Sequence, residues 1–403
     1  MAQPIRTLFF WLHLTTGVVA GLVVLVMSVT GAVLAFEKQV VWRADTAHLQ
    51  VAGDDGTPRL PIDTLLARVR ATGLVGEPTM IAVRRDPAAP IALTVAGNGV
   101  VYADPYTGRL LGAGHTGVRA FFRGVTDWHR WLAATADLRG IGRSITGASN
   151  LAFLFIVLSG AYLWIPRTWA WRQLRQILWF RRGLPAKARD FNWHNTIGVW
   201  SVVPLAIVVA SGVVISYPWA SDLVYRVAGD TPPAPRGEGR GPRLEAGSRE
   251  GRLDGPGRPA DRRASDPPAL DTAWGRAEAQ RADWRAITLR VPPSAAAPLA
   301  FTIDEGGPGQ PQYRGTLTVD RATGAATWEG FDQLSRGRRL RSILRFAHTG
   351  EVLGVAGQAI AGLVSLGGAF LVYTGFALSL RRFLAWRARR RRDPIAVAAR
   401  SAA

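Results

Sequence analysis

Four stretches of the chain are almost free of charge and stay apolar for about 20 residues or more, the length a helix needs to cross a ~30 Å hydrocarbon core. They run approximately over 8–36, 145–165, 197–217 and 355–380. The first ends in "AVLAFE", which looks like a cleavage site, but its apolar run far exceeds the roughly 7–15 residues of a signal core, so it reads as an uncleaved anchor. Between the apolar runs the period changes. "LPIDTLLARVRA" from Leu60 to Ala71 has apolar residues at helical spacing, with Asp63 as its candidate N-cap. "IALTVAGNGVVYADPYTGRLLG" reads as strand, turn, strand, turn, with Gly and Asn at the bends. A later polar segment repeats the order, with "DTAWGRAEAQ" as helix and "LAFTID…YRGTLTVDRATGAATWEG" as strands. The pattern predicts membrane helices at 1–37, 141–166, 192–217 and 351–380, exterior segments at 38–140 and 218–350, a basic loop at 167–191 and a basic tail at 381–403. The expected fold class is an α-helical membrane protein: four transmembrane helices from a two-fold parallel repeat, carrying two small α+β exterior domains.

The repeat is visible residue by residue. One offset carries His13 to His194, Gly17 to Gly198, and Thr30-Gly31 to Ser211-Gly212. A larger offset carries "SGAYLWIPR" at Ser159 onto "TGFALSLRR" at Thr374, and brings His129 near His348. The offset grows because of an insertion at 231–268, rich in Pro, Gly, Arg and Glu and without aromatic residues, a composition that cannot bury enough apolar surface to order itself.

Charge then fixes orientation. The net charge of +20 would suggest nucleic acid, but it gathers at the ends of the apolar runs. Arg167, Arg172, Arg175, Arg181, Arg182, Lys187 and Arg189 lie between the second and third runs, and Arg381, Arg382, Arg387 and Arg389 to Arg392 follow the fourth. Short basic flanks mark the cytoplasmic side, which puts both termini and the middle loop inside and excludes nucleic acid as the partner. Trp11, Trp42, Trp128, Trp131, Trp164, Trp193 and Trp219 fall near segment ends as an aromatic belt. The chain has no cysteine, so disulfides, iron–sulfur clusters, thiolate zinc sites and covalent haem attachment are excluded.

Candidate chemistry lies with histidine. His13 and His194 occupy equivalent places at the interior ends of two membrane segments, each sharing a helical face with small residues: Gly17, Gly21, Ser28 and Gly31 beside His13, Gly198, Ser201 and Gly212 beside His194. Small residues admit close approach by another helix or by a flat macrocycle. A packed seam with a structural histidine is the plain alternative. His129 and His348 mirror the pair on the exterior side. Imidazoles from facing helices can fill both axial positions of a haem iron, a six-coordinate arrangement suited to electron transfer. Zinc prefers four close ligands, and the interior pair has no carboxylate in its segments to complete them. His48 and His115 also lie outside; either is an alternative to His129, and "GHTGV" around His115 also reads as a Gly-rich turn. Arg130, Arg143 and Arg345 lie near the exterior pair and could meet haem propionates or snorkel to headgroups.

Taken together, "WLHLTTGVVAGLVVLVMSVTGAVLAFE", "DWHRWL…SGAYLWIPR", "DPYTGRLLG" and "WHNTIGVW" resemble the PepSY-associated transmembrane-helix family of bacterial inner-membrane proteins, over nearly the whole chain except the insertion. The resemblance implies that the exterior modules are periplasmic PepSY domains. Some members of the family resemble proteins that reduce ferric siderophores with two noncovalent b-type haems, and it implies axial-ligand roles for His13, His129, His194 and His348, with no separate catalytic residue. Some relatives carry a fused flavoprotein reductase; this chain has no G-x-G-x-x-G opening a βαβ unit, which leaves the electron donor, a quinol or a cytoplasmic reductase, unidentified. The expected function is reduction of a periplasmic ferric siderophore. The alternatives are a non-enzymatic PepSY module that binds partners or restrains a peptidase, and a quinone-linked cytochrome. A transporter subunit fits poorly, since no acidic residue sits at mid-membrane.

Overall fold

A computed structural model of the chain describes residues 2–401, apart from 54–55, 74–75, 98, 167–169, 235–269, 293 and 295. The insertion expected at 231–268 lies, from 235 onward, outside the described residues.

In chain order the helices are α1 (Ala2–Leu34), α2 (Glu37–Thr46), α3 (Ile62–Ala71), α4 (Thr116–Trp131), α5 (Arg139–Trp164), α6 (Trp171–Leu178), α7 (Ala186–Ser216), α8 (Pro218–Val227), α9 (Leu270–Gln280), α10 (Arg336–His348) and α11 (Gly354–Ser401). Among the described residues four are long and apolar enough to cross a membrane: Pro4–Leu34, Ala136–Trp164, Ala186–Ser216 and Glu351–Arg390. They pack in a ring, with α1 and α7 each against both α5 and α11. Val24, Val157, Leu205, Val209 and Val364 are buried between them, whereas Val19, Leu22, Val203 and Leu363 stand exposed on the outside. An apolar skin over an apolar centre suits a hydrocarbon solvent, where helices keep all their backbone hydrogen bonds internal. The helices outrun the apolar stretches that announce them: α5 starts at Arg139 and α7 at Ala186. Hydropathy tracks lipid contact, while the backbone ladder continues into polar flanks.

The strands are β1 (Pro78–Arg84), β2 (Ile91–Val95), β3 (Gly99–Ala103), β4 (Leu110–Ala113), β5 (Ala286–Arg290), β6 (Leu299–Asp304), β7 (Arg314–Val319) and β8 (Ala326–Gly330). All pairings are antiparallel, and the order is β4-β3-β2-β1-β5-β6-β7-β8. The two meanders expected as separate small domains are therefore joined, β1 to β5, with Ala82 opposite Thr288 at the middle of the junction. Two first strands that would each have been an open edge close on one another. The alternation of β2 (buried, half-buried, buried) and of β6 places one face of the sheet inward. Leu65 and Val69 of α3, Ala273 and Trp274 of α9, and Ile81, Leu93, Ile287, Leu289 and Phe301 of the sheet form one core.

Asp63 is not the N-cap of its own helix. It is the second residue of α3, whose N-cap, Pro61, has no side-chain cap. Its carboxylate accepts the N–H of Asp271 at 3.1 Å, and the Asp271 carboxylate accepts the N–H of Asp63 at 3.1 Å. Each helix start is capped by the other.

Candidate functional site

Four histidines come together as two pairs. His13, on α1, faces His194, on α7, with ring centroids 6.5 Å apart and ring planes at 88°. His129, near the end of α4, faces His348, the last residue of α10, at 6.3 Å and 54°. The pairings match the offsets in the sequence: His13 with His194, and His129 with His348. All four rings are half-buried.

Each ring is held through Nδ1 by a membrane helix. His13 Nδ1 lies 3.0 Å from Ser159 Oγ on α5. His194 Nδ1 lies 2.9 Å from Thr374 Oγ1 on α11, and His129 Nδ1 lies 2.9 Å from Thr30 Oγ1 on α1. His348 Nδ1 donates to the Val208 carbonyl at 2.8 Å, with Ser211 Oγ of α7 at 3.5 Å. Among the described residues no protein group bonds Nε2 of any of the four. Desolvation, and after it the charge of the facing His348, lowers the pKa of His129 to about 4. Burial lowers that of His348 as well, so this second pair is neutral at pH 7.

Neutral imidazoles with a free nitrogen are the form in which histidine binds a metal. Two such nitrogens bonded to one metal at about 2.0–2.1 Å each, with the ring radii added, set the centroids about 6 Å apart, which is the spacing both pairs have. Among the described residues no cluster of three or more His, Asp or Glu side chains could hold a bare ion. A metal here would have to bring its remaining ligands with it, as an iron porphyrin does.

The two pairs sit at opposite ends of the bundle. Thr30, which meets His129, lies seventeen residues beyond His13 on α1, and Ser211 lies as far beyond His194 on α7. At the helical rise this is about 25 Å, close to the thickness of a hydrocarbon core. Val157, Leu205, Val209 and Val364 fill the space between with apolar side chains.

A family model for the PepSY-associated TM region matches residues 10–382. The chain belongs to that family. It is a multi-pass membrane protein, as the four apolar helices of this PepSY-associated chain also require. No curated protein matches it.

The remaining candidates divide. His115 is the N-cap of α4: its side chain accepts the Val118 N–H at 3.2 Å. His48 is exposed and outside both pairs. Arg130 has its pKa lowered by desolvation and then by the charges of Arg143 and Arg345, so three cations converge beside the His129–His348 pair. At the end of the bundle that holds His13, Arg382 stacks over Phe10 at 4.9 Å and Trp11 at 4.8 Å. Trp42, expected in the aromatic belt, packs instead on Tyr102 of the sheet at 6.2 Å. The spacing of the sequence pointed to the histidines; it did not show which hydroxyl meets which ring.

Proposed function

We propose that this protein carries electrons across a bacterial inner membrane through two noncovalent haem b groups, one between His13 and His194 and one between His129 and His348. On this reading it reduces a periplasmic ferric siderophore. The observation that carries the reading is the pair of matched imidazole couples, alike in spacing and a membrane's thickness apart. Each haem would supply a one-electron couple. The protein's part is to hold each iron from both faces, to keep water out of the apolar layer between the sites, and to present a cationic rim at the exterior end. Arg130, Arg143 and Arg345 fit propionates or an anionic chelate there. Reduction of Fe(III) to Fe(II) by one electron from the interior weakens its hold on hard oxygen ligands.

The order of elements from α1 to α5 recurs from α7 to α11, which supports a two-fold parallel repeat with an axis along the membrane normal. Basic residues at the loop and tail support cytoplasmic termini and a periplasmic PepSY sheet. A second reading, a quinone-linked cytochrome, is favoured by one feature. A groove of about 540 Å³ beside His194 is walled by Phe180, Trp193, Ile197 and Phe370, with Arg181 and Arg182 at its rim. An aromatic headgroup entering from the lipid would fit it.

The test is an absorption spectrum of the purified protein, oxidised and then dithionite-reduced, with acid–acetone extraction. A Soret band that leaves with the solvent is expected. Alanine at His13 or His194 should remove one haem and alanine at His129 or His348 the other, each leaving about half the haem per protein. A haem-replete preparation with no Soret band would leave the non-enzymatic PepSY module as the reading.

A further inference from the structure

The Ser/Thr–Gly dipeptides at Thr30-Gly31, Ser159-Gly160, Ser211-Gly212 and Thr374-Gly375 mark the chain's self-similarity, yet a reading built on imidazoles alone gives them nothing to do. We propose that each of Thr30-Gly31, Ser159-Gly160 and Thr374-Gly375 is the positioning element of one histidine, and that at Ser211-Gly212 the Val208 carbonyl takes the hydroxyl's place. The acceptor fixes the proton on Nδ1, the glycine makes room for the ring edge, and Nε2 is presented as a lone pair. What Nε2 then binds rests on the haem reading; the proton assignment stands on hydrogen bonds alone.

A hydroxyl has one proton to give. Thr30 gives it to the Val26 carbonyl at 2.6 Å, with Met27 O at 3.2 Å. Thr374 gives it to Phe370 O at 2.8 Å, with Leu371 O at 3.2 Å, and Ser159 to Ile156 O at 3.2 Å. These are the back-bonds by which Ser and Thr sit inside helices. The oxygen that then faces Nδ1 can only accept, so Nδ1 carries the hydrogen and Nε2 does not. At His348 the same answer comes by another route. Ser211 bonds its own helix at Ile207 O, 2.7 Å, and stands 3.5 Å from the ring, while Val208 O, which has no proton at all, lies 2.8 Å from Nδ1.

The glycines complete the fit. A Cβ at Gly160 would stand 3.2 Å from His13 Cε1, at Gly31 3.3 Å from His129 Cε1, and at Gly212 3.1 Å from His348 Cε1. Only at Gly375 is the distance, 3.7 Å from His194 Cε1, an ordinary contact. Helix packing thus sets ring orientation. Within each half of the chain the membrane helices exchange support, α5 holding the ring on α1 and α11 the ring on α7. A partner that accepts the Nδ1 proton orients a metal-binding imidazole and raises its basicity, and its loss typically weakens retention by about 10–100-fold.

The experiment uses the full chain in nanodiscs. Thr374→Val and Ser159→Ala should raise the midpoint potential of the interior haem and speed its transfer to apomyoglobin by roughly 10–100-fold, leaving the exterior haem unchanged. Thr30→Val should do the same to the exterior haem, and Thr374→Ser should restore the native behaviour. Ser211→Ala should have the smallest effect, because the Val208 carbonyl holds that ring. Unchanged potentials, ferric EPR spectra and haem loss in all three acceptor-less variants, with the protein still monodisperse, would overturn the proposal. If the native protein holds no haem, the haem reading fails, and ¹⁵N spectra of histidine-labelled protein decide the positioning role. A single Nδ1–H tautomer that becomes mixed in Thr374→Val supports it, and mixed tautomers in the native protein overturn it.

Discussion

Asp45 takes no part in either histidine pair, yet it is a carboxylate with no exposed surface. It accepts the Tyr102 hydroxyl at 2.8 Å, the His115 N–H and the Arg119 guanidinium, and so ties α2, β3 and α4 together. α4 carries His129 near its far end, which makes this buried acid part of the mounting of the His129–His348 pair. Burial alone would raise the Asp45 pKa; the bonds from Arg119, His115 and Tyr102 outweigh it and hold the carboxyl below its usual value of 3.8. Burial, and then Asp45 itself, pushes the Tyr102 hydroxyl up. A depressed carboxyl contributes its stability in full above the unfolded value and loses it as pH falls through the folded one. Asp45→Asn should therefore cost about 3 kcal/mol at neutral pH, seen as a lower melting midpoint, and the gap to the native protein should narrow only below pH 3.8. Equal midpoints at neutral pH would remove Asp45 from the mounting. Of these residues the sequence offered only His115, as a turn or a spare ligand. Its capping role depends on where α4 begins, and His-Thr-Gly shows no preferred cap. The four paired histidines were legible because the same residue recurred at equivalent places in the two halves of the chain. Their hydroxyl partners were visible as repeat markers but not as partners, since neighbouring helices in the ring are not encoded in spacing along one helix.

At the scale of elements, the apolar runs located every membrane helix, because lipid demands a long uninterrupted stretch and tolerates little else. β1 and β5 went unread, but strands β2, β3, β6 and β7 were legible from alternation and from turns such as "DPYTG", where Asp104 accepts from the N–H groups of Tyr106 and Thr107. The joining of two meanders into one sheet was not. β1 and β5 are some two hundred residues apart, and either would serve as an edge; only packing of both helices on one face selects the pairing. The reciprocal capping of α3 and α9 belongs to that junction. An aspartate at a helix start that caps a partner costs about 1 kcal/mol to remove, and an asparagine keeps the acceptor oxygen. Asp63→Ala and Asp271→Ala should each lower stability by about that much, while Asp63→Asn paired with Asp271→Asn, which also relieves two facing negative charges, should be neutral or better. Thermal melts of the purified protein read the difference. Should the asparagine pair fall as far as the alanine variants, charge at the helix starts, and not the acceptor oxygen, holds the junction.

For the whole molecule, the proposed electron path has a direction. Arg181, Arg182, Arg189 and Arg381 cluster at the end where His13 and His194 lie, with Asp190 buried between Arg189 at 3.0 Å and Arg381 at 2.5 Å. The eight-stranded sheet and the second pair lie at the other end. On the proposed orientation, with basic ends inside, and on the haem reading, electrons enter at His13 and His194 and leave at His129 and His348. Sealed right-side-out vesicles test this. With the haems reduced beforehand, externally added ferric siderophore should reoxidise them quickly, although it cannot cross the bilayer. Alanine at His13 or His194 should leave the exterior haem oxidisable once and then stop its re-reduction from inside. Alanine at His129 or His348 should leave a reduced interior haem that external ferric chelate does not reach. The two failures differ in kind, which tells an ordered path from two independent haems. If ferric chelates leave the native reduced haems untouched and an added quinone oxidises them, the groove beside His194 becomes the exit. The protein is then a quinone-linked cytochrome, and the exterior arginines hold propionates alone.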